Sequence, residues 1–176
     1  MKKINMYLGG SLFTEKDQTY LASIAEKIRS ECAKNNFSID LYVPQENSDI
    51  NDKTKFADSV AIYDGDTARL MHTDIFVFSL DEDLGLAAEI GYYANKCQMY
   101  DGLLGKGPYM IGIYSDTRDM SIPHDSKKEL YGNKNIAESQ FSYYNLYVIG
   151  AIKKYGKLVR NSDEAVSAII DRIKEL

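Results

Sequence analysis

Ile75-Phe76-Val77-Phe78-Ser79-Leu80, followed at once by Asp81-Glu82-Asp83-Leu84-Gly85-Leu86-Ala87-Ala88-Glu89-Ile90-Gly91-Tyr92, is the stretch that decides the fold. The apolar run from Ile75 to Leu80 reads as a buried strand. The acids after it lead into an apolar, helix-like run that ends near Asn95. Two carboxylates, Asp83 and Glu89, therefore stand at or just inside a helix start at the carboxyl end of a strand. Open α/β sheets bind their ligands at that place. Glu89 is flanked by Ala88, Ile90 and Gly91, and an acid in an apolar setting has to be paired, neutral or functional.

Working outward, the same alternation repeats along the chain. Lys3 to Leu8 reads as a first strand, closed by Gly9-Gly10-Ser11. A helix follows from about Thr14 to Asn35, where Leu21, Ile24, Ala25 and Ile28 recur at helical spacing, with Thr14 as N-cap and Asp17 echoing a capping box. Ser38 to Val43 is a second strand ended by Pro44, and Gln45 to Lys53 is polar and loop-like. A second helix covers Thr54 to His72, weakened at Gly65. Strand three is Asp74 to Leu80 and helix three Leu84 to Cys97. Strand four is Tyr109 to Tyr114, and a long loop follows from Ser115 to Asn133. Helix four spans Asn135 to Tyr155, Lys157 to Val159 is a fifth strand, and Ser162 caps a last helix running to Leu176. This order predicts a single α/β domain over 1–176, a five-stranded parallel sheet with helices on both faces. The favoured topology is flavodoxin-like (Rossmann-like), strand order 2-1-3-4-5. The loops Gly9 to Phe13 and Asp81 to Gly85 then face each other across the crevice between strands one and three.

A chain of 176 residues suits one domain with its own core. The net charge of −5 argues against a general nucleic-acid or anionic-membrane surface. No run approaches the roughly 18 apolar residues of a membrane span, and the lysine-flanked Met1 to Leu8 is too short for a signal peptide. Cys32 and Cys97 lie far apart without partner histidines, so free thiols in a reducing cytoplasm are expected. His72 and His124 give no metal-ligand spacing. Fourteen tyrosines without a tryptophan suit packing better than ring stacking on a ligand.

The candidate site residues each carry a plain alternative. Gly9-Gly10-Ser11 lacks the Gly-x-Gly-x-x-Gly fingerprint and the Gly-Lys-Ser/Thr of a P-loop, and a tight strand-to-helix turn accounts for its glycines. The Ser/Thr run of a flavodoxin flavin loop is missing too. Tyr7, near the end of strand one, either enters the crevice or packs on a helix, and spacing alone favours packing. Asp66 belongs to a solvated helix face unless a break at Gly65 re-aims it toward the sheet. Asp83 is first of all an N-cap. Glu89 falls in the first two turns of helix three, where the dipole favours a carboxylate and is expected to lower its pKa. An ionised carboxylate can attack an electrophile, and two carboxylates about one sugar carbon are the equipment of glycosidic-bond chemistry.

With those residues in hand, the chain resembles the nucleoside 2-deoxyribosyltransferase family over most of its length. The matching blocks are Met6-Tyr7-Leu8-Gly9-Gly10-Ser11-Leu12-Phe13, Asp66 followed by Asp74, Asp83-x-Gly-x-x-x-Glu89-x-Gly91-Tyr92, and Tyr144-Asn145-Leu146-Tyr147. The resemblance implies that Glu89 is a nucleophile on the anomeric carbon of a 2′-deoxynucleoside, oriented by Tyr7. Asp66 would contact the base and shuttle its proton, Asp83 would bind sugar hydroxyls, and Phe13 would pack on the base. Gly9 belongs to the same strand-one segment. Asn145 would reach a neighbouring subunit's site, so a homo-oligomer is implied, and no metal or organic cofactor is expected. Two departures stand out. Ser48 occupies the place of a base-reading Gln, for which Gln45 or Asn47 could substitute, and Tyr147 stands where Met is common in the sugar-pocket wall.

Three functions compete at this point. The first is transfer of deoxyribose between free nucleobases. The second is hydrolysis of a deoxynucleoside or its 5′-monophosphate, which the acidic Asp81-Glu82-Asp83 loop opposes for a phosphorylated substrate. The third is a non-catalytic nucleoside-sensing module on the same scaffold, which makes the placement of Asp66, Asp83 and Glu89 accidental.

Overall fold

The computed structural model describes residues 3–48, 58–101, 107–115 and 144–176. Thr54, Asn135 and nearly all of the 115–133 loop fall outside those residues, but the second and fourth helices do not run on from there: they begin at Ser59 and Leu146, where Asp58 and Asn145 are N-caps in non-helical backbone. Within them the chain alternates β1 (Ile4–Gly9), α1 (Glu15–Lys34), β2 (Ile39–Tyr42), a 3₁₀ turn (Pro44–Glu46), α2 (Ser59–His72), β3 (Ile75–Ser79), α3 (Leu84–Tyr100), β4 (Tyr109–Ile113), α4 (Leu146–Tyr155), β5 (Gly156–Val159) and α5 (Ser162–Glu175). All strand pairs are parallel, in the order β2-β1-β3-β4-β5, as the alternation predicts. No helix of the described residues is long and apolar enough to cross a membrane.

Side chains alternate across a strand, and that period sorts the core into two kinds of packing. Met6, Leu8, Ile75, Val77, Ile111, Ile113 and Val159 face α1 and α5 in an aliphatic layer. Tyr7, Phe76, Phe78, Met110 and Leu158 face α2, α3 and α4 in a layer rich in aromatic rings. Burial of each such side chain contributes roughly 1.5–3 kcal/mol. In the aromatic layer Phe76 packs edge-on to Tyr7 and Tyr93 at centroid distances of 5.2 and 5.3 Å.

Helix starts follow the cap chemistry. Thr14 accepts a hydrogen bond from the Asp17 N–H, as expected. The last helix differs from the reading above: Asn161, not Ser162, is its N-cap, with extended backbone and a side-chain oxygen 2.8 Å from the Glu164 N–H. Ser162 is instead the first helical residue, buried, and its hydroxyl accepts from Lys27 Nζ at 2.8 Å.

Lys96 is buried on α3 and donates to the carbonyls of Leu70 and Thr73 at the end of α2. Tyr93 Oη donates to the carbonyls of Thr73 and Asp74 at 3.1 and 3.0 Å. α3 thus adds side-chain donors to the carbonyls where α2 ends and β3 begins, and burial lowers the pKa of Lys96 from its ordinary value.

Gly156 is the position where no side chain fits. A Cβ there would stand 1.9 Å from the Met110 carbonyl oxygen, and Gly156 is the registered partner of Met110 in the β4–β5 pair. Gly156→Ala is expected to force the strands apart and lower stability by about 3 kcal/mol, measured by denaturant unfolding. An unchanged midpoint would contradict this pairing.

Candidate active site

Parallel register sets the floor of the site. Tyr7 of β1 pairs with Tyr42, the last residue of β2, so both phenols leave the same face of the sheet. Their ring centroids are 5.1 Å apart. Tyr7 is 0% exposed, yet its hydroxyl donates to Glu89 Oε1 at 2.8 Å. It therefore packs and enters the crevice at once: the ring packs on Phe76 and Tyr42 while the oxygen reaches the carboxylate.

Glu89 comes from α3, whose buried stripe of Leu86, Ile90, Tyr93 and Cys97 lies against the sheet. That seating turns the neighbouring Glu89 toward Tyr7. Asp66 comes from α2. No break occurs at Gly65, because α2 is continuous from Ser59 to His72. Asp66 is nevertheless half-buried rather than on a solvated face, and it accepts from Tyr42 Oη at 2.9 Å. Tyr42 in turn accepts from Asn47 Nδ2 at 3.0 Å, and the Arg69 guanidinium lies 4.9 Å from its ring centroid.

The electrostatics differ from the expectation of a dipole-lowered Glu89. Burial pushes Glu89 up to about 7; the hydrogen bond from Tyr7 opposes that rise, and the charges of Asp66 and Asp83 add to it. Glu89 lies in the second turn of α3, beyond the reach of most of the dipole's effect, so desolvation wins. Asp66 is also raised, by burial, against the hydrogen bonds of Tyr42 and Tyr7. Burial, the charges of Glu89 and Asp66 and the bond to Glu89 keep Tyr7 a phenol. Tyr42 is pushed up to about 12, chiefly by burial. Two protonated phenols thus face two carboxylates that hold protons more readily than free ones.

The remaining candidates lie around this core. Asp83 caps α3, its Oδ1 2.9 Å from the Leu86 N–H. Asn145 caps α4, its Oδ1 2.9 Å from the Tyr147 N–H. Both line a cavity of about 170 Å³ that Leu80, Ile90, Tyr144 and Val148 complete. Ser48 lies in an open groove with Tyr42, Asn47 and Arg69, on the Asp66 side of the site. Gly9 ends β1 tight against α3, where a Cβ would meet Phe76 at 3.0 Å and Leu86 at 3.2 Å. Phe13 and Tyr147 are 83% and 86% exposed, so neither packs on the protein. Among the described residues, no group of three His, Cys, Asp or Glu side chains could hold a metal ion.

Sequence reasoning missed Tyr42, took Asn47 only as a stand-in for the base-reading Gln, and read Asp81 only as one acid of the crevice loop. Asp81 ties the crevice loops together, accepting from the N–H groups of Ser11 at 2.8 Å and Asp83 at 2.9 Å. The signal for Tyr42 was its place at the carboxyl end of a strand beside β1, directly before Val43-Pro44.

A model of the family described as nucleoside 2-deoxyribosyltransferase matches residues 6–146, which include every candidate site residue except Tyr147. Among solved structures, a conserved protein from Enterococcus faecalis V583 is 35% identical, with a TM-score of 0.73 over 97% of this chain and 99% of that one. A 2-desoxiribosyltransferase from Leishmania mexicana shares the fold at 16% identity, with a TM-score of 0.56 over 96% of this chain and 97% of that one. No curated protein matches the chain.

A carboxyl whose folded pKa is raised from 4.5 to about 7 binds its proton more tightly in the folded state. Folding is then disfavoured progressively as pH rises through that window. Glu89→Gln keeps an acceptor for Tyr7 and removes the charge. It is expected to raise stability at pH 8 by on the order of 3 kcal/mol, and to leave stability below about pH 4 unchanged. Thermal unfolding at the two pH values checks this, and equal stability of variant and parent at pH 8 would contradict a desolvated Glu89.

Proposed function

The chain belongs to the nucleoside 2-deoxyribosyltransferase family, and on that footing we propose that it moves 2-deoxyribose between nucleobases, in nucleoside salvage, through an ester on Glu89. The observation that carries this reading is the 2.8 Å hydrogen bond from Tyr7 to Glu89, with Asp66 held alongside. A single carboxylate on an apolar helix face has structural explanations. A pair of raised carboxyls, one held by a buried phenol and the other by a half-buried one, is equipment for acid and nucleophilic work at one carbon.

In the first half-reaction a Glu89 carboxylate oxygen attacks the anomeric carbon of a 2′-deoxynucleoside. The C–N bond breaks, its electron pair goes to the base nitrogen, and the Asp66 carboxyl supplies the proton. The deoxyribosyl ester on Glu89 remains. In the second half, a nitrogen of an incoming base attacks the same carbon, the ester bond breaks, and Asp66 takes up that base's proton. Two inversions give retention. Tyr7 keeps its proton throughout and holds Glu89 in line.

The other candidates take supporting roles. Asp83 binds sugar hydroxyls, Phe13 covers the base, and Ser48 and Tyr147 line the base and sugar walls. Asn145 serves the site of a second copy in a homo-oligomer. The reaction uses no metal or organic cofactor, and the protein works in the cytoplasm.

Incubation with 2′-deoxyinosine and free adenine or cytosine, followed by chromatography, tests the reading. Exchange of bases is the expected result. Release of free deoxyribose would make the protein a hydrolase, and no change would make it a binding module. Glu89→Ala is expected to lose exchange by on the order of a thousandfold or more.

The active form carries one proton on the carboxyl pair, sited on Asp66 during attack. The pH dependence of kcat/KM is therefore expected to be bell-shaped. Its alkaline limb should lie near 7, where the pair loses its last proton. Its acid limb should lie above the ordinary Asp value of 3.8, because Asp66 is raised. Activity that keeps rising above pH 8 would exclude the shared proton.

A further inference from the structure

Asp66 is the only carboxylate of the pair whose orienting group comes from the sheet edge. β2 is the outermost strand beside β1, and its last residue is Tyr42. The Tyr42 hydroxyl has one proton to give. Its oxygen already accepts from Asn47 Nδ2 at 3.0 Å, so that proton is directed at Asp66 Oδ1, 2.9 Å away. The ring is held between Tyr7, 5.1 Å distant, and the Arg69 guanidinium, 4.9 Å distant. Every freedom of the phenol is thus taken up by a neighbour.

We propose that Tyr42 is a positioning residue for Asp66, fixing which carboxyl oxygen it presents to the departing and incoming base. This deepens the transfer reading above and rests on it. The titratable and charged groups around Asp66 are Tyr7 from β1, Tyr42 from β2, Glu89 from α3 and, one turn further along α2, Arg69 bound to the Tyr42 ring. Of these, Tyr42 gives the stronger of the two hydrogen bonds that hold the Asp66 pKa down against burial. Loss of its hydroxyl therefore raises the Asp66 pKa further.

Tyr42→Phe keeps the ring and removes the hydroxyl. Two readouts are taken: the carboxyl titration of Asp66 by carbon-13 NMR without substrate, and the pH profile of exchange. The expected result is an Asp66 titration moved to higher pH, the acid limb of kcat/KM moved with it, and kcat lowered roughly tenfold with KM little changed. A residue that only packs would move neither titration nor limb. If Tyr42→Phe fails to fold, Asn47→Ala carries the same test. It releases the Tyr42 proton from its fixed direction and should shift both readouts the same way by less. An Asp66 titration and kcat equal to the parent's in the folded variant would overturn the proposal. A parent without exchange activity would instead sink the transfer reading, and the substrate-free titration would still decide whether Tyr42 governs Asp66.

Discussion

A buried phenol donating to a partly buried carboxylate is the contact on which the site depends. Tyr7 has no solvent to turn to, and its ring is locked between Phe76 and Tyr42. Its hydroxyl needs an acceptor, since an unmet buried donor costs about 1–3 kcal/mol. Glu89 is that acceptor. The bond ties β1 to α3, two elements far apart in sequence, and sets the rotation of α3 at the same time as Leu86, Ile90 and Tyr93 seat it on the sheet. Packing and polar satisfaction demand the same orientation, so the place of Glu89 follows from the core beneath it.

The same burial that orders the pair makes it electrostatically uncomfortable. Glu89 and Asp66 are both raised by desolvation, and each is relieved by a phenol that stays protonated. Strain of this kind is characteristic of functional sites, where groups are tuned for chemistry rather than for stability. Two filled layers, one aliphatic and one aromatic, bury side chains on both faces of the sheet.

The architecture was legible because the signals are local. The apolar run Ile75 to Leu80 and the helical spacing of Leu21, Ile24 and Ile28 need no tertiary context to be read. The family blocks likewise picked out Tyr7, Asp66, Asp83 and Glu89. What escaped the sequence depends on register and burial. Tyr42 matters because parallel pairing sets it beside Tyr7, a relation that no spacing within β2 encodes. Asp81 reads as one more acid in a charged loop, yet it is turned onto backbone N–H groups of Ser11 and Asp83. Glu89 was assigned the wrong direction of pKa shift because the dipole is visible in sequence and desolvation is not. The cap of α5 moved by one residue because Asn161 and Ser162 are both good caps, and only the extended backbone at Asn161 separates them.

The buried Lys96 gives the site a mechanical character. It joins the last turn of α2 to α3 at the ends of the two helices remote from the crevice. Asp66 lies upstream of that joint on α2 and Glu89 upstream of it on α3. With a rise of about 1.5 Å per helical residue, Asp66 stands about one turn from that joint and Glu89 about two. The ammonium group thus clamps together the two helices that carry the carboxylates, close to both, and the gap between them is braced from a side that faces away from the crevice.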